Sequence, residues 1–148
     1  SRFLSFEEFI TAYIDFEKIP GGTSAELWLQ RAEQAYHLKQ TDEARQLLLT
    51  GLVQFPEEAA LYQALGVLLA KSGEFSKAMD LFTRALAFTD HVPQIRAELY
   101  NQIGILQYNQ GDPARAEQSL RTALQIAPGW KEAADNLREI LNTRLPSV

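Results

Sequence analysis

His37 and His91 are the two side chains best suited to moving a proton near neutral pH or to holding a metal. Neither belongs to an HExxH motif or to any paired spacing that sets two ligands on one helix face. Each is read as a surface residue. There is no cysteine, which removes disulfides, thiolate metal sites and thiol nucleophiles. No GxSxG motif occurs, and Gly21-Gly22 follow Pro20 without the Gly-Lys-Ser/Thr of a phosphate-binding loop. Glu7-Glu8 and Glu57-Glu58 are read as helix-start or loop charges, and neighbouring carboxylates on a helix point about 100° apart, so nothing positions a substrate between them for acid–base work. No catalytic residue, cofactor or metal is expected. The chain is read as a binding protein, not an enzyme.

The elements that would position a binding surface are legible from length, charge and repetition. The 148 residues suffice for one domain with a continuous core. No apolar run approaches the roughly 20 residues of a membrane span, and no basic-then-apolar leader is seen. A cytoplasmic protein is expected, although zero cysteines suit the periplasm, or the soluble part of an anchored protein, equally well. The net charge is −5, and residues 1–58 carry five Lys/Arg against ten Asp/Glu while residues 59–148 carry nine against nine. An acidic first part with no basic counterpart argues against nucleic acid and anionic membrane, both of which select positive patches. A protein or peptide partner, neutral or basic, fits better.

Segments beginning at Ala25, Ala59 and Ala97 align beneath one another, at steps of 34 and 38 residues. An aromatic stands fourth in each (Trp28, Tyr62, Tyr100) and a small residue eighth (Ala32, Gly66, Gly104). Further along stand Ala44, Ala78 and Ala116, then Leu48, Phe82 and Leu120, then Gly51, Ala85 and Ala123. This pattern predicts two antiparallel helices per segment, with small residues admitting close approach and large ones filling the next gap. Gly73 and Gly111 fall where the first helix of a pair must end, since glycine accepts a left-handed backbone. Asp112-Pro113 supplies an N-cap followed by proline at the first helical position. No single pair can bury both faces, so the pairs must stack.

These residues resemble the tetratricopeptide repeat (TPR) family, whose pattern W-x2-L-G-x2-Y…A-x3-F…A…P the second and third segments follow closely. The first departs from it at Arg31, Ala35 and Lys39, which stand where Leu, an aromatic and Gly are usual. The resemblance implies an all-α, right-handed superhelix: an N-terminal helix and linker (1–24), TPR 1 (25–58), TPR 2 (59–92), TPR 3 with a short preceding insertion (93–128) and a capping helix with tail (129–148). It also implies a scaffold or adaptor that holds a peptide on the concave surface formed by the first helices. The matching positions give Glu33 and Tyr36 in TPR 1, Gln63, Val67 and Lys71 in TPR 2, and Glu98, Asn101, Gln102, Ile105, Tyr108 and Asn109 in TPR 3. Amide side chains there can bond an extended peptide's backbone, and Tyr adds apolar area with a polar tip. Chaperone-binding members clamp a terminal carboxylate with Lys, Asn and Arg at five positions where this chain has Leu29, Glu33, Ala64, Glu98 and Gln102. An adaptor of that kind is not expected. A regulatory domain of a larger enzyme and a secretion-type chaperone are the alternatives.

Three pieces lie outside the repeat. In residues 131–142, Leu137, Ile140 and Leu141 pack inward while Lys131, Asp135, Arg138, Glu139 and Asn142 stay wet, which closes the exposed end. Thr89 or Asp90 can cap an early start to the helix at Pro93. Residues 3–19 form a helix opened by the capping box Ser5-x-x-Glu8 and ended by Pro20. Its apolar residues cover more than one stripe. Capping TPR 1, self-association into a homo-oligomer, and lying across the groove all fit it.

Overall fold

In the computed structural model, residues 24–144 are described, and the expected helix at 3–19 lies outside them. They contain α1 (Ala25–His37), α2 (Thr41–Gln54), α3 (Ala59–Lys71), α4 (Phe75–Leu86), α5 (Pro93–Asn109), α6 (Pro113–Ile126) and α7 (Lys131–Arg144), with no strand among them. The expected all-α repeat of helical hairpins is thus observed. Contacts divide the chain into two compact units that part between Phe88 and Thr89.

In the first unit α1 pairs with α2, α3 pairs with α4, and α2 packs against α3. The seams are built by small residues. A Cβ added to Gly66 would stand 2.5 Å from the Phe82 ring, so the absence of a side chain there admits the aromatic. Gly51 takes the Trp28 side chain in the same way. Phe82 is wholly buried, which contributes about 1.5–3 kcal/mol relative to leaving the ring in water. The fourth-place aromatics also hold the pairs together. Trp28 Nε1 donates to Gln54 at 3.1 Å, and the Tyr62 hydroxyl donates to the Pro56 carbonyl at 2.7 Å while its ring stacks on Phe88. Arg45 of α2 reaches Glu74 at the start of α4 at 2.9 Å, and Lys77 bonds the same carboxylate. These bonds, Lys77's first, hold the Glu74 carboxyl below the usual carboxylate range.

In the second unit α5 pairs with α6, and α7 packs on α6 and more lightly on α5. Leu120 fills the space beside Gly104, and Ala116, Leu120, Leu137 and Ile140 form one apolar cluster. The capping helix therefore buries the residues expected to turn inward, Leu141 lying against the cluster's edge. Lys131 and Arg138 stay exposed and pair with Asp135.

The ends of α1, α3 and α5 repeat one motif. Lys39, Gly73 and Gly111 have positive φ (61°, 83° and 86°), and the next residue's N–H returns to the helix at Ala35, Leu69 and Gln107. This bonding satisfies carbonyls that a helix end otherwise leaves open. Two of the three helix pairs meet the need with glycine; the first pair does it with lysine against a left-handed cost of about 1–2 kcal/mol. Lys39→Gly is expected to raise stability by about 0.5–1 kcal/mol, the entropy of glycine offsetting part of the relief. Urea unfolding of the two proteins checks this, an unchanged midpoint being the contrary result.

Asp112 caps α6 as expected, accepting from the Arg115 N–H at 3.1 Å. The start of α5 differs. Proline does take the first turn, but neither Thr89 nor Asp90 caps it: the N-cap is Val92, with no side-chain bond. Thr89 is instead buried and faces the Arg96 guanidinium at 3.4 Å, because the connector turns through the Val92 N–H to Thr89 carbonyl bond.

Candidate functional site

The first helix of each pair carries the expected binding positions, and the two units present them separately. In the first unit, α1 contributes Glu33 and Tyr36, both half-buried, and α3 contributes Gln63, Val67 and Lys71. Parallel placement of α1 and α3 brings their C-terminal ends together. The Lys71 ammonium sits 5.9 Å from the centre of the Tyr36 ring. That is cation–π distance, worth about 0.5–1 kcal/mol at an exposed site. His37, one turn beyond Glu33, lies 3.7 Å from its carboxylate. This end of the face holds an aromatic surface, a cation and an acid within one or two helix turns.

Further along the same face the chemistry changes. Gln63 and Val67 are both 0 % exposed, and all twelve residues from Ala59 to Ala70 are buried. A helix apolar around its whole circumference needs cover on every side, and AALYQALGVLLA is such a sequence. Ala60, Ala64 and Ala70, apolar residues along the same helix as Val67, are the signal from which this burial can be read.

In the second unit Asn101, Gln102 and Ile105 are almost wholly buried and Glu98 nearly so. Asn136 of α7 donates to Asn101 Oδ1 at 3.1 Å, a buried amide pair that crosses from the capping helix to α5. Sequence reasoning does not find Asn136, because its partner is 35 residues away and a lone Asn on an amphipathic helix reads as solvated. Tyr108 lies against the apolar cluster, its hydroxyl 3.4 Å from Thr143. Gln94 approaches the Glu98 carboxylate at 3.4 Å. Only Asn109 and, in part, Tyr108 reach the surface. Of the eleven expected residues, Glu33, Tyr36, Lys71, Tyr108 and Asn109 are accessible; Gln63, Val67, Glu98, Asn101, Gln102 and Ile105 are buried.

Among the described residues no group of three or more His, Cys, Asp or Glu side chains could hold a metal ion, and no helix is long and apolar enough to cross a membrane.

The tetratricopeptide repeat family profile matches residues 97–130, the segment of α5 and α6. No curated protein matches by sequence. Solved structures share the fold. The second TPR domain of human RPAP3, solved with the HSP70 peptide SGPTIEEVD, has TM-score 0.67 and 18% identity, over 76% of this chain and 91% of that one. The Arabidopsis OM64 TPR domain has TM-score 0.70 and 17% identity, over 84% of this chain and 100% of that one. The Yersinia enterocolitica type III secretion chaperone SycD, solved with a peptide of the translocator YopD, has TM-score 0.71 and 14% identity, over 84% and 98%.

Proposed function

We propose that this chain, a tetratricopeptide-repeat protein, is a non-catalytic scaffold or adaptor that holds a peptide segment of a partner on the first-helix faces of its units. One observation carries the reading: the accessible end of the α1–α3 face, where Tyr36, Lys71, Glu33 and His37 converge. A ring with a cation over it and an acid beside it offers apolar contact, a hydrogen-bond tip and charge to one short segment. TPR scaffolds are generally interaction modules, and two of the structural neighbours were solved with peptides.

The peptide class differs from the HSP70 peptide of the RPAP3 domain. That peptide ends in an acidic run, whereas the positions of the carboxylate clamp hold Leu29, Glu33, Ala64, Glu98 and Gln102 here. A neutral or basic segment suits Glu26 and Glu33 on α1. Glu98 adds little to the attraction, being buried. A cytoplasmic setting belongs to the same proposal. A secretion-type chaperone is the second reading, supported by the likeness to SycD.

The test selects displayed random peptides on the full chain and measures their affinity for Tyr36→Ala with Lys71→Ala. Binding is expected to weaken about tenfold or more, equivalent to about 1.4 kcal/mol, with the melting temperature little changed. It should also weaken with salt. Val53→Ala, at an exposed position on α2, should change nothing. Equal affinity for the double variant, or loss at Val53 instead, overturns the assignment of this face.

A further inference from the structure

We propose that the outer stripe of α2, formed by Asp42, Gln46, Leu49 and Val53, docks a partner's amphipathic helix that carries Lys or Arg beside its apolar face. This surface belongs to the second helix of a pair, so it goes beyond the peptide-binding reading of the first-helix faces. At about 100° per residue the four positions fall within about 60° of one another, and they run for about 16 Å along the helix. Ala44, Leu48 and Gly51 are buried on the opposite side, where Gly51 receives Trp28 of α1. Val53 is 83 % exposed and Leu49 41 %, and Val53 is the most exposed large apolar side chain among the described residues.

The other two second helices show what an ordinary outer stripe holds. In repeat register, Leu49 and Val53 correspond to Thr83 and Ala87 at the end of α4, and to Arg121 and Gln125 on α6. All four of those are exposed as well, so the register places them on the same solvent-facing side. Only α2 sets two branched apolar side chains one turn apart in water. Its first turn carries Asp42 and Glu43, both exposed, and its last turn carries no cation. Elsewhere the acids at helix starts and on outer faces are compensated: Glu74 by Lys77 and Arg45, Asp112 by Arg115, Glu117 by Arg121, Asp135 by Lys131 and Arg138. Among the described residues Asp42 and Glu43 have no such partner. Arg45, the cation nearest them in sequence, is committed to Glu74 at 2.9 Å. The stripe is therefore apolar at one end and negative without compensation at the other. A helix that lays an apolar turn on Leu49 and Val53 and a Lys or Arg against Asp42 and Glu43 complements both ends. A second copy would bring the same acids and no cation, and an anionic membrane would be repelled.

The test titrates the full chain with a short synthetic Leu/Lys peptide that sets its leucines along one helix face, and with the same peptide carrying Glu in place of Lys. Amide chemical shifts map the site and calorimetry gives the affinity. The Leu/Lys peptide is expected to shift residues 42–53 and to bind about tenfold or more tighter than the Leu/Glu peptide. Leu49→Ser with Val53→Ser should weaken it about tenfold or more, with the melting temperature little changed because both side chains face water. Asp42→Asn with Glu43→Gln should weaken it about threefold and flatten its dependence on salt. Tyr36→Ala with Lys71→Ala should leave it unchanged, whereas Val53→Ala, neutral towards a peptide on the α1–α3 face, should weaken it. The two surfaces are thereby tested separately. Shifts centred on other elements, equal affinity for the Leu/Glu peptide, equal affinity of the Leu49→Ser, Val53→Ser chain, or no binding at all, overturn the proposal. So does a free chain that sediments as a dimer and becomes monomeric in that variant, since the occupant is then a second copy.

Discussion

Gly66→Ala is expected to destabilise the protein, and Gly66→Leu to prevent the first unit from folding normally. The sign is what makes this informative. Alanine in place of glycine inside an ordinary helix gains about 1 kcal/mol of helix propensity. At Gly66 the new Cβ would stand 2.5 and 2.7 Å from two carbons of the Phe82 ring, closer than atoms pack. Phe82 has no exposed surface, so its ring cannot swing outward. The ring or a helix must shift, at a cost toward the upper end of about 1–3 kcal/mol for alanine and more for leucine. Gly104→Ala is the milder comparison: its Cβ would meet Leu120 at 3.0 Å and the Ala116 carbonyl at 3.3 Å. Urea or thermal unfolding should therefore order the proteins as native, Gly104→Ala, Gly66→Ala, Gly66→Leu. Adding Phe82→Leu to Gly66→Ala should recover part of the loss by shortening the opposing side chain. A Gly66→Ala protein as stable as the native one would mean that the Gly66–Phe82 seam does not hold α3 to α4.

That seam also shows why so much of the fold can be read from residue types alone. Gly66 with Phe82 and Gly104 with Leu120 are a small and a large residue sixteen positions apart in each repeat, and they meet because the two helices of a pair run antiparallel. Gly73 and Gly111 announce the helix ends for the same local reason: only a residue tolerant of positive φ fits there. Lys39 takes that conformation without the residue type that signals it, so a departure from the repeat pattern conceals an unchanged backbone.

The candidate site is less legible. A repeat position tells which way a side chain leaves its helix, and says nothing about what lies above it. Gln63 and Asn101 occupy binding positions and are nevertheless buried. The hint at Gln63 is compositional, in the alanines and Val67 around it. At Asn101 there is none, since its partner sits on a helix that reads as a solvated cap. Tyr36 and Lys71 are different again: each is an expected binding residue, but their approach to one another depends on α1 and α3 lying side by side.

Asn101→Ala should cost about 1–3 kcal/mol of stability, although Asn101 stands at a position where the repeat pattern predicts a peptide contact. The Asn136 amide donates to its Oδ1 at 3.1 Å with both residues almost free of solvent. Truncating one partner removes the acceptor and leaves the desolvated Asn136 amide in place, which costs more than the bond itself contributes. Asn136→Ala should cost a similar amount for the mirrored reason. Removing both with shape retained, as Asn101→Leu with Asn136→Leu, eliminates the stranded groups and should be much less harmful than the sum of the single truncations. A double-mutant cycle read by urea unfolding then gives a coupling of about 0.5–3 kcal/mol. The cycle separates a structural amide pair from a binding contact: in the first case stability moves in each single variant. If Asn101→Ala melts like the native protein and the cycle shows no coupling, the pair does not hold α7 to α5, and Asn101 returns to the list of residues available to a partner.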